Sequence, residues 1–298
     1  MAYRRPTYRR TRRSTRRYAP RKAYSTRRTR PTYRRPVRKR RVMSTRRILN
    51  VSSTKKRDTM IGYSNVVSPR NDANATYAAS PAFLQAYTGT DRNIYIFPWV
   101  ATARIATASK EATDRNNQTC YMRGLKERIE IQTNSGVPWQ WRRICFTRKG
   151  AQLTATSTFK PFEFTSNGYV RVVNQLPNTS TFLNDIFDGG QLREWNDFFH
   201  AKLNRDLVSI KYDKTISIQS GNSSGILRKF SRWHPMNANL TYLDEELGDT
   251  EFTSAYSTNG LRGMGDYYVV DIFISGGGAG ESDRLSFNPQ ATLYWHEK

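Results

Sequence analysis

The first 57 residues contain no aspartate, glutamate, glycine or cysteine, and no valine, isoleucine, leucine or phenylalanine precedes Val37. A segment this poor in apolar side chains cannot offset its chain entropy by burial, so it is expected to be disordered alone. It also lacks the apolar stretch of a secretory signal, and the chain is expected to stay inside a cell. No 18 consecutive apolar residues occur anywhere, which argues against a membrane-spanning helix. No glycine is followed by lysine, so the phosphate loop of nucleotide hydrolases is missing. The three histidines, His200, His234 and His296, are too widely spaced for a His-x-His or HExxH metal pair. The only cysteines, Cys120 and Cys145, read as buried thiols in a reducing compartment. The six Asn-x-Ser/Thr matches would matter only in a secreted protein. These absences leave no nucleophile, metal or cofactor constellation, and an enzyme is not expected.

What the amino-terminal segment does contain is positive charge. Of the 49 Lys and Arg, 24 lie in residues 1–57, so the other 25 face all 24 Asp and Glu over residues 58–298. Nearly the whole net charge of +25 belongs to an arm, and the remainder is close to neutral. Arginine outnumbers lysine in the arm 20 to 4, and its planar fork matches phosphate oxygens bidentately. Tyr3, Tyr8, Tyr18, Tyr24 and Tyr33 are interleaved and offer rings for stacking on unpaired bases. Arg4, Arg5, Arg9, Arg10, Arg12, Arg13, Arg16, Arg17, Arg21, Lys22, Arg27, Arg28, Arg30, Arg34 and Arg35 are the candidate phosphate contacts. Arg38, Lys39, Arg40 and Arg41 form a tighter cluster of the kind that import receptors read. The expected ligand is a polyanion grasped without sequence preference, single strands more than duplex.

Beyond Asp58 the pattern changes to Thr, Ser, Asn, aromatics and β-branched residues with a period of two. Over 208–218, Val208, Ile210, Tyr212, Ile216 and Ile218 are expected to share one face of a half-buried strand. Over 121–131, Tyr121, Leu125, Ile129 and Ile131 are expected to oppose Met122, Lys126, Arg128 and Glu130. In 139–146, Trp139 and Trp141 share a parity that Ile144 and Phe146 do not, which predicts a bulge near Arg142 and Arg143. Residues 267–274 are apolar on both faces and read as a central strand. Further strands are expected at 94–100, 169–173, 226–233 and 291–296, with a hairpin turn at Asn134, Ser135 and Gly136. Leu192, Trp195, Phe199 and Leu203 recur at helical spacing and predict one helix over 191–203. The fold class this implies is all-β: an antiparallel eight-stranded jelly-roll sandwich over 58–298 with one inserted helix, an immunoglobulin-like sandwich being the alternative.

Two further clusters are ambiguous. Asp244, Glu245, Glu246, Asp249 and Glu251 suit a solvated loop, a divalent cation or a basic surface on a neighbour. The run from Gly276 to Gly280 leads into Glu281, Asp283 and a strand, not into a helix, and reads as a flexible loop.

The string TCYMRGLKERIEIQTNSGVPWQWRRICFT at 119–147, with LYWHEK at 293–298 and the MAYRR opening, resembles the capsid proteins of genomoviruses, small circular single-stranded DNA viruses related to geminiviruses. The resemblance implies a jelly-roll subunit, sixty copies in a small icosahedral shell, an inward-facing arm on the single-stranded DNA genome, and assembly in the host nucleus with recruitment of import receptors. A ribosomal or other structural nucleic-acid-binding protein is the nearest alternative, and a nucleic-acid enzyme a more distant one. The near-neutral body argues against the first, since ribosomal proteins usually carry basic patches on their folded part as well.

Overall fold

The computed structural model describes residues 43–66, 76–88, 91–109, 111–150, 152–176 and 181–298. Residues 45–298 form one compact unit, mostly strand, with two short helices, α1 (Thr45–Ser52) and α2 (Thr181–Ile186). Residues 45–57, which composition assigns to the arm, thus form α1 and the first part of β1 (Thr54–Met60). β1 is a strand because its charges alternate with partners. Lys55, Arg57 and Thr59 point out, whereas Lys56 and Asp58 point in and meet Glu297 and Arg104.

After β1 come β2 (Gly62–Ser64), β3 (Ala82–Gln85), the short pair β4 (Tyr87–Thr88) and β5 (Asp91–Arg92), and β6 (Ile94–Val100). Next are β7 (Thr119–Thr133), β8 (Trp139–Arg148), the short pair β9 (Phe164–Thr165) and β10 (Gly168–Tyr169), and β11 (Arg171–Val173). The chain ends with β12 (Ser209–Ile218), β13 (Leu227–Leu247), β14 (Thr250–Ser257), β15 (Asp266–Ser275) and β16 (Arg284–Glu297). The larger sheet runs β1-β16-β7-β13-β14, with β3 also on β16, and the smaller runs β12-β8-β15-β6. All of their pairings are antiparallel; β11 adds a short parallel pairing to β2.

The pairings between early and late strands nest. β3 pairs with β16, β6 with β15, β7 with β13, and β8 with β12. Prolines fit this order: Pro98 lies in the edge strand β6. Pro289 sits inside β16 where that strand changes partner, since β3 stops at Phe287 and β1 starts at Ala291. The missing N–H therefore costs no ladder bond on that side.

Between the sheets lies an apolar core divided in two by charge. One half holds Tyr95, Phe97, Trp139, Trp141, Phe273 and Phe287, and the other Met122, Leu125, Val269, Leu293 and Trp295. A second core covers the opposite face of the smaller sheet, where Phe182, Leu183, Phe187, Trp195, Phe198 and Leu203 pack on Ile144, Phe146, Val270 and Ile272.

Several sequence expectations change here. Residues 191–203 form reverse turns, not a helix. Leu192 takes a left-handed backbone (φ 64°) and is 83% exposed, while Phe198 and Ala201 are buried beside Trp195, Phe199 and Leu203, so the apolar residues do not define one helical stripe. Their burial against the smaller sheet, not helix formation, satisfies the pattern. β8 has no bulge near Arg142 and Arg143; it pairs without interruption along β15, from Arg148 with Asp266 to Trp139 with Ser275. The parity change arises because both faces of β8 are buried. The irregularity is in its neighbour, where β12 skips a residue between Ile210 and Tyr212. Ile210 thus joins the outer core layer, and Tyr212 and Ile216 the inter-sheet core. β7 likewise shifts register between Met122 and Gly124 against β16, which turns Met122 inward and Tyr121 outward, the reverse of the simple alternation. Asn134, Ser135 and Gly136 do not close a hairpin, because β7 and β8 belong to different sheets. The segment is a crossover. The strands expected at 94–100 and 267–274 match β6 and β15, and β15 is buried between β8 and β6.

Candidate nucleic-acid interface

The arm residues singled out by composition, from Arg4 to Arg35 and from Arg38 to Arg41, lie outside the described residues. The folded unit carries two other concentrations of charge, one buried and one exposed.

The buried one separates the two halves of the core. Asp271 on β15 and Arg143 on β8 are direct cross-strand neighbours. Asp271 Oδ1 accepts from Arg143 Nε at 2.7 Å and from Trp141 Nε1 at 2.7 Å; its Oδ2 accepts from Arg143 Nη2 and Arg171 Nη2, both at 2.8 Å. Glu127, facing them from β7, accepts from Arg143 Nη1 at 2.6 Å and Arg171 Nε at 3.2 Å. Burial alone would raise the Asp271 pKa, but the two guanidiniums and the indole hold it below the usual carboxylate range. Two carboxylates and two guanidiniums close the account, as buried charge requires.

Beside this cluster, Cys145 Sγ lies 3.9 Å from His234 Nδ1, and His234 Nε2 lies 3.6 Å from Glu127. The order of atoms is that of a nucleophile, a base and an orienting carboxylate. The chemistry is opposed by the setting. Burial pushes the Cys145 thiol up to about 12, burial pulls the imidazole down to about 4, and neither residue reaches solvent. A reactive thiol needs the reverse: a thiolate, an electropositive setting and access. Cys120 is also buried and free, its pKa raised by burial and by Glu297.

The acidic run does not act as one cluster. Asp244 is held by Arg115 through two bonds of 2.6 and 3.1 Å, while Glu245, Glu246, Asp249 and Glu251 stay exposed along the β13–β14 hairpin. Gly276 to Gly280 form the connection from β15 to β16. His200 lies on the surface, 3.8 Å from Asp197, and His296 on β16.

The exposed concentration is the outward face of the larger sheet. Its cross-strand rows can be read from the register. Lys55, His296, Tyr121 and Asn239 form one, and Arg57, Tyr294, Gly124 and Pro235 the next. Thr59, Thr292, Lys126 and Trp233 follow, then Gln290, Arg128 and Ser231, then Asn288, Glu130 and Lys229. Arg123, in the β7 irregularity, bonds Asn237 at 2.5 Å. The cations of these rows face a single carboxylate, Glu130, which Lys229 meets at 3.1 Å. Burial and the neighbouring Lys55 and Arg123 charges lower the His296 pKa, a sign of the positive field here.

The aromatics of this face are positioned by a glycine. A Cβ at Gly124 would come within 2.7 Å of the Trp233 ring, so only a bare Cα lets the indole lie across β7 toward Tyr294. The two rings sit 5.8 Å apart, and Tyr121 and His296 are 6.0 Å apart two residues further along. Trp233 is 48% exposed, whereas the other five tryptophans are each at most 9% exposed.

No family model and no curated protein matches this chain. Function therefore rests on the chain's own residues.

Sequence alternation placed Lys126, Arg128 and Glu130 together on one face of β7. It did not join them to Trp233, Tyr294, Lys55 and Arg57, which come from strands far apart in the chain. The available signal was the alternation of β16, where Thr292, Tyr294 and His296 share the parity opposite to Leu293 and Trp295.

Proposed function

We propose that the chain is a viral capsid protein that self-assembles into a small closed shell and packages circular single-stranded DNA through its arginine-rich arm. The observation that carries this reading is the nested pairing within the folded unit. Of eight strands (β3, β6, β7, β8, β12, β13, β15 and β16), first pairs with last, second with seventh, third with sixth and fourth with fifth. This nesting supports reading the two sheets as one long hairpin rolled up in the manner of a jelly roll, a fold used by capsid subunits. Charge segregation supports the same reading, since a near-neutral body can tile beside copies of itself while its arm carries the counter-charge for a packaged strand.

Sixty copies of residues 1–44, with 19 basic residues each, would supply roughly 1,100 positive charges, enough for a strand on the order of a thousand nucleotides. The 44 residues that precede the folded unit would span only about 35 Å root-mean-square as a random coil, which would keep that charge near one side of the shell wall. The cluster Arg38–Arg41 serves nuclear import in this scheme, and a reporter fused to residues 1–57 should enter nuclei. Electron microscopy of the purified protein mixed with single-stranded DNA tests the main claim: uniform closed particles are expected, and protein that stays monomeric with nucleic acid under all conditions overturns it. Deleting residues 2–36 should lower packaged DNA while leaving shell formation to the body.

A further inference from the structure

We infer that the outward face of the larger sheet is a second DNA-binding surface, one that stacks an unpaired base on the Trp233–Tyr294 platform and holds the flanking phosphates with Lys126, Arg128 and Arg57. The inference rests on the reading of the chain as a DNA-packaging protein and adds the place on the folded body where the strand lies.

Three observations carry it. The equivalent face of the smaller sheet is sealed by an apolar layer, but among the described residues nothing of that kind lies on this face, and its exposed strands carry lysine, arginine, hydroxyl and amide groups. In a folded unit with 30 Lys and Arg against 24 Asp and Glu, these rows hold cations against Glu130 alone, the complement of a polyphosphate backbone. Lys126 lies directly beside Trp233 in one row, and Arg128 follows two residues along β7, about 7 Å further on. That places phosphate donors next to a half-exposed indole, as single-strand binding sheets require. An unpaired strand suits the platform better than duplex, since a paired base offers no free ring face.

The tryptophans provide a direct test in the full-length protein. Trp233 is the one substantially exposed indole of the six, so quenching by a stacked base reports on this face and not on the arm, which has no tryptophan. Adding a short oligothymidylate at low salt should quench the exposed, red-shifted emission. Inorganic polyphosphate, which has charge but no bases, should compete with the oligonucleotide without quenching. In Trp233→Phe the quenching should vanish, and in the double variant Lys126→Glu/Arg128→Glu it should require at least tenfold more oligonucleotide. Both changes are at the surface and preserve the fold, which near-ultraviolet circular dichroism checks. Saturating binding by anisotropy with unchanged Trp233 emission overturns the inference. So does equal quenching by polyphosphate, or a Trp233 signal already shielded in proportion to protein concentration without DNA, which would mean that another copy covers the face. Particles without Trp233 quenching defeat this inference and leave the capsid reading intact; quenching without particles does the reverse.

Discussion

The two sheets of this protein share a core and differ on their other sides. The smaller sheet is covered: residues from Leu153 to Val208 lay phenylalanines, a tryptophan and leucines over β8 and β15, so that both of these strands are buried on both faces. Among the described residues the larger sheet has no such cover, and apart from Glu130 the outward residues of β1, β7 and β16 are polar, basic or aromatic. Sealing one sheet commits its sequence to packing, whereas leaving the other open releases alternate positions on β1, β7, β13 and β16 for recognition. The same alternation that builds a half-buried strand thus also sorts stability from surface chemistry.

The largest effects are expected where the sheets meet. Asp271→Ala would leave the buried Arg143 and Arg171 with Glu127 alone between them and should cost about 3–5 kcal/mol in chemical denaturation. A loss below about 1 kcal/mol would mean that water reaches the cluster and that the two half-cores are not separated by fixed charge.

The comparison between faces is sharpened by a matched pair. Phe187→Ala in the cover layer removes a fully buried ring packed on Trp195 and Phe198 and should cost about 3–4 kcal/mol. Thr292→Ala on the bare face should stay within about 0.5 kcal/mol. Similar losses at both positions would break the distinction.

Acid titration separates two buried groups of opposite sign. Burial raises Asp266 to about 6, so its contribution is full below the unfolded value near 4 and is lost as pH rises through 6. Burial lowers His234 to about 4, so its contribution is present above the unfolded value near 6.5 and is lost as pH falls toward 4. Each is worth roughly 3 kcal/mol at about 1.4 kcal/mol per unit, and between pH 6 and 4 they oppose one another. Asp266→Asn should therefore lose stability as pH drops from 6 to 4, and His234→Gln should gain it, relative to the unsubstituted protein in urea titrations at each pH.

The smallest stability effect and the clearest functional one belong to the bare face. Replacing Lys126 and Arg128 by glutamine should change stability by less than about 0.5 kcal/mol. It should lower the salt slope of single-strand binding by roughly 1.4, for two lost phosphate contacts. An unchanged slope would assign all phosphate contacts to the arm.

The hydrophobic pattern identified β6 and β15 nearly to the residue, because a strand buried on both faces, or at a sheet edge, reads as a short apolar run with clear ends. It failed over 191–203, where burial under a sheet produced helical spacing in a chain that turns, with Leu192 left-handed and exposed. It also misassigned faces at Tyr121, Met122 and Ile210, since one skipped residue on β7 or β12 inverts every later parity and leaves no mark in composition. Glu127 went unnoticed because a buried acid looks like any other charge in an alternating strand until its arginines are known.

Local sequence determined where charge accumulates and which segments extend, because both depend on neighbours only a few residues away. The amino-terminal arm and the β-rich body follow directly from that. Tertiary structure alone decided which strands share a face, since β1, β7, β13 and β16 come together through hydrogen-bonded pairings of residues up to about 240 positions apart, Lys55 with His296 being one. It also decided that Gly124, unremarkable in the chain, is the bare Cα over which Trp233 lies to meet Tyr294.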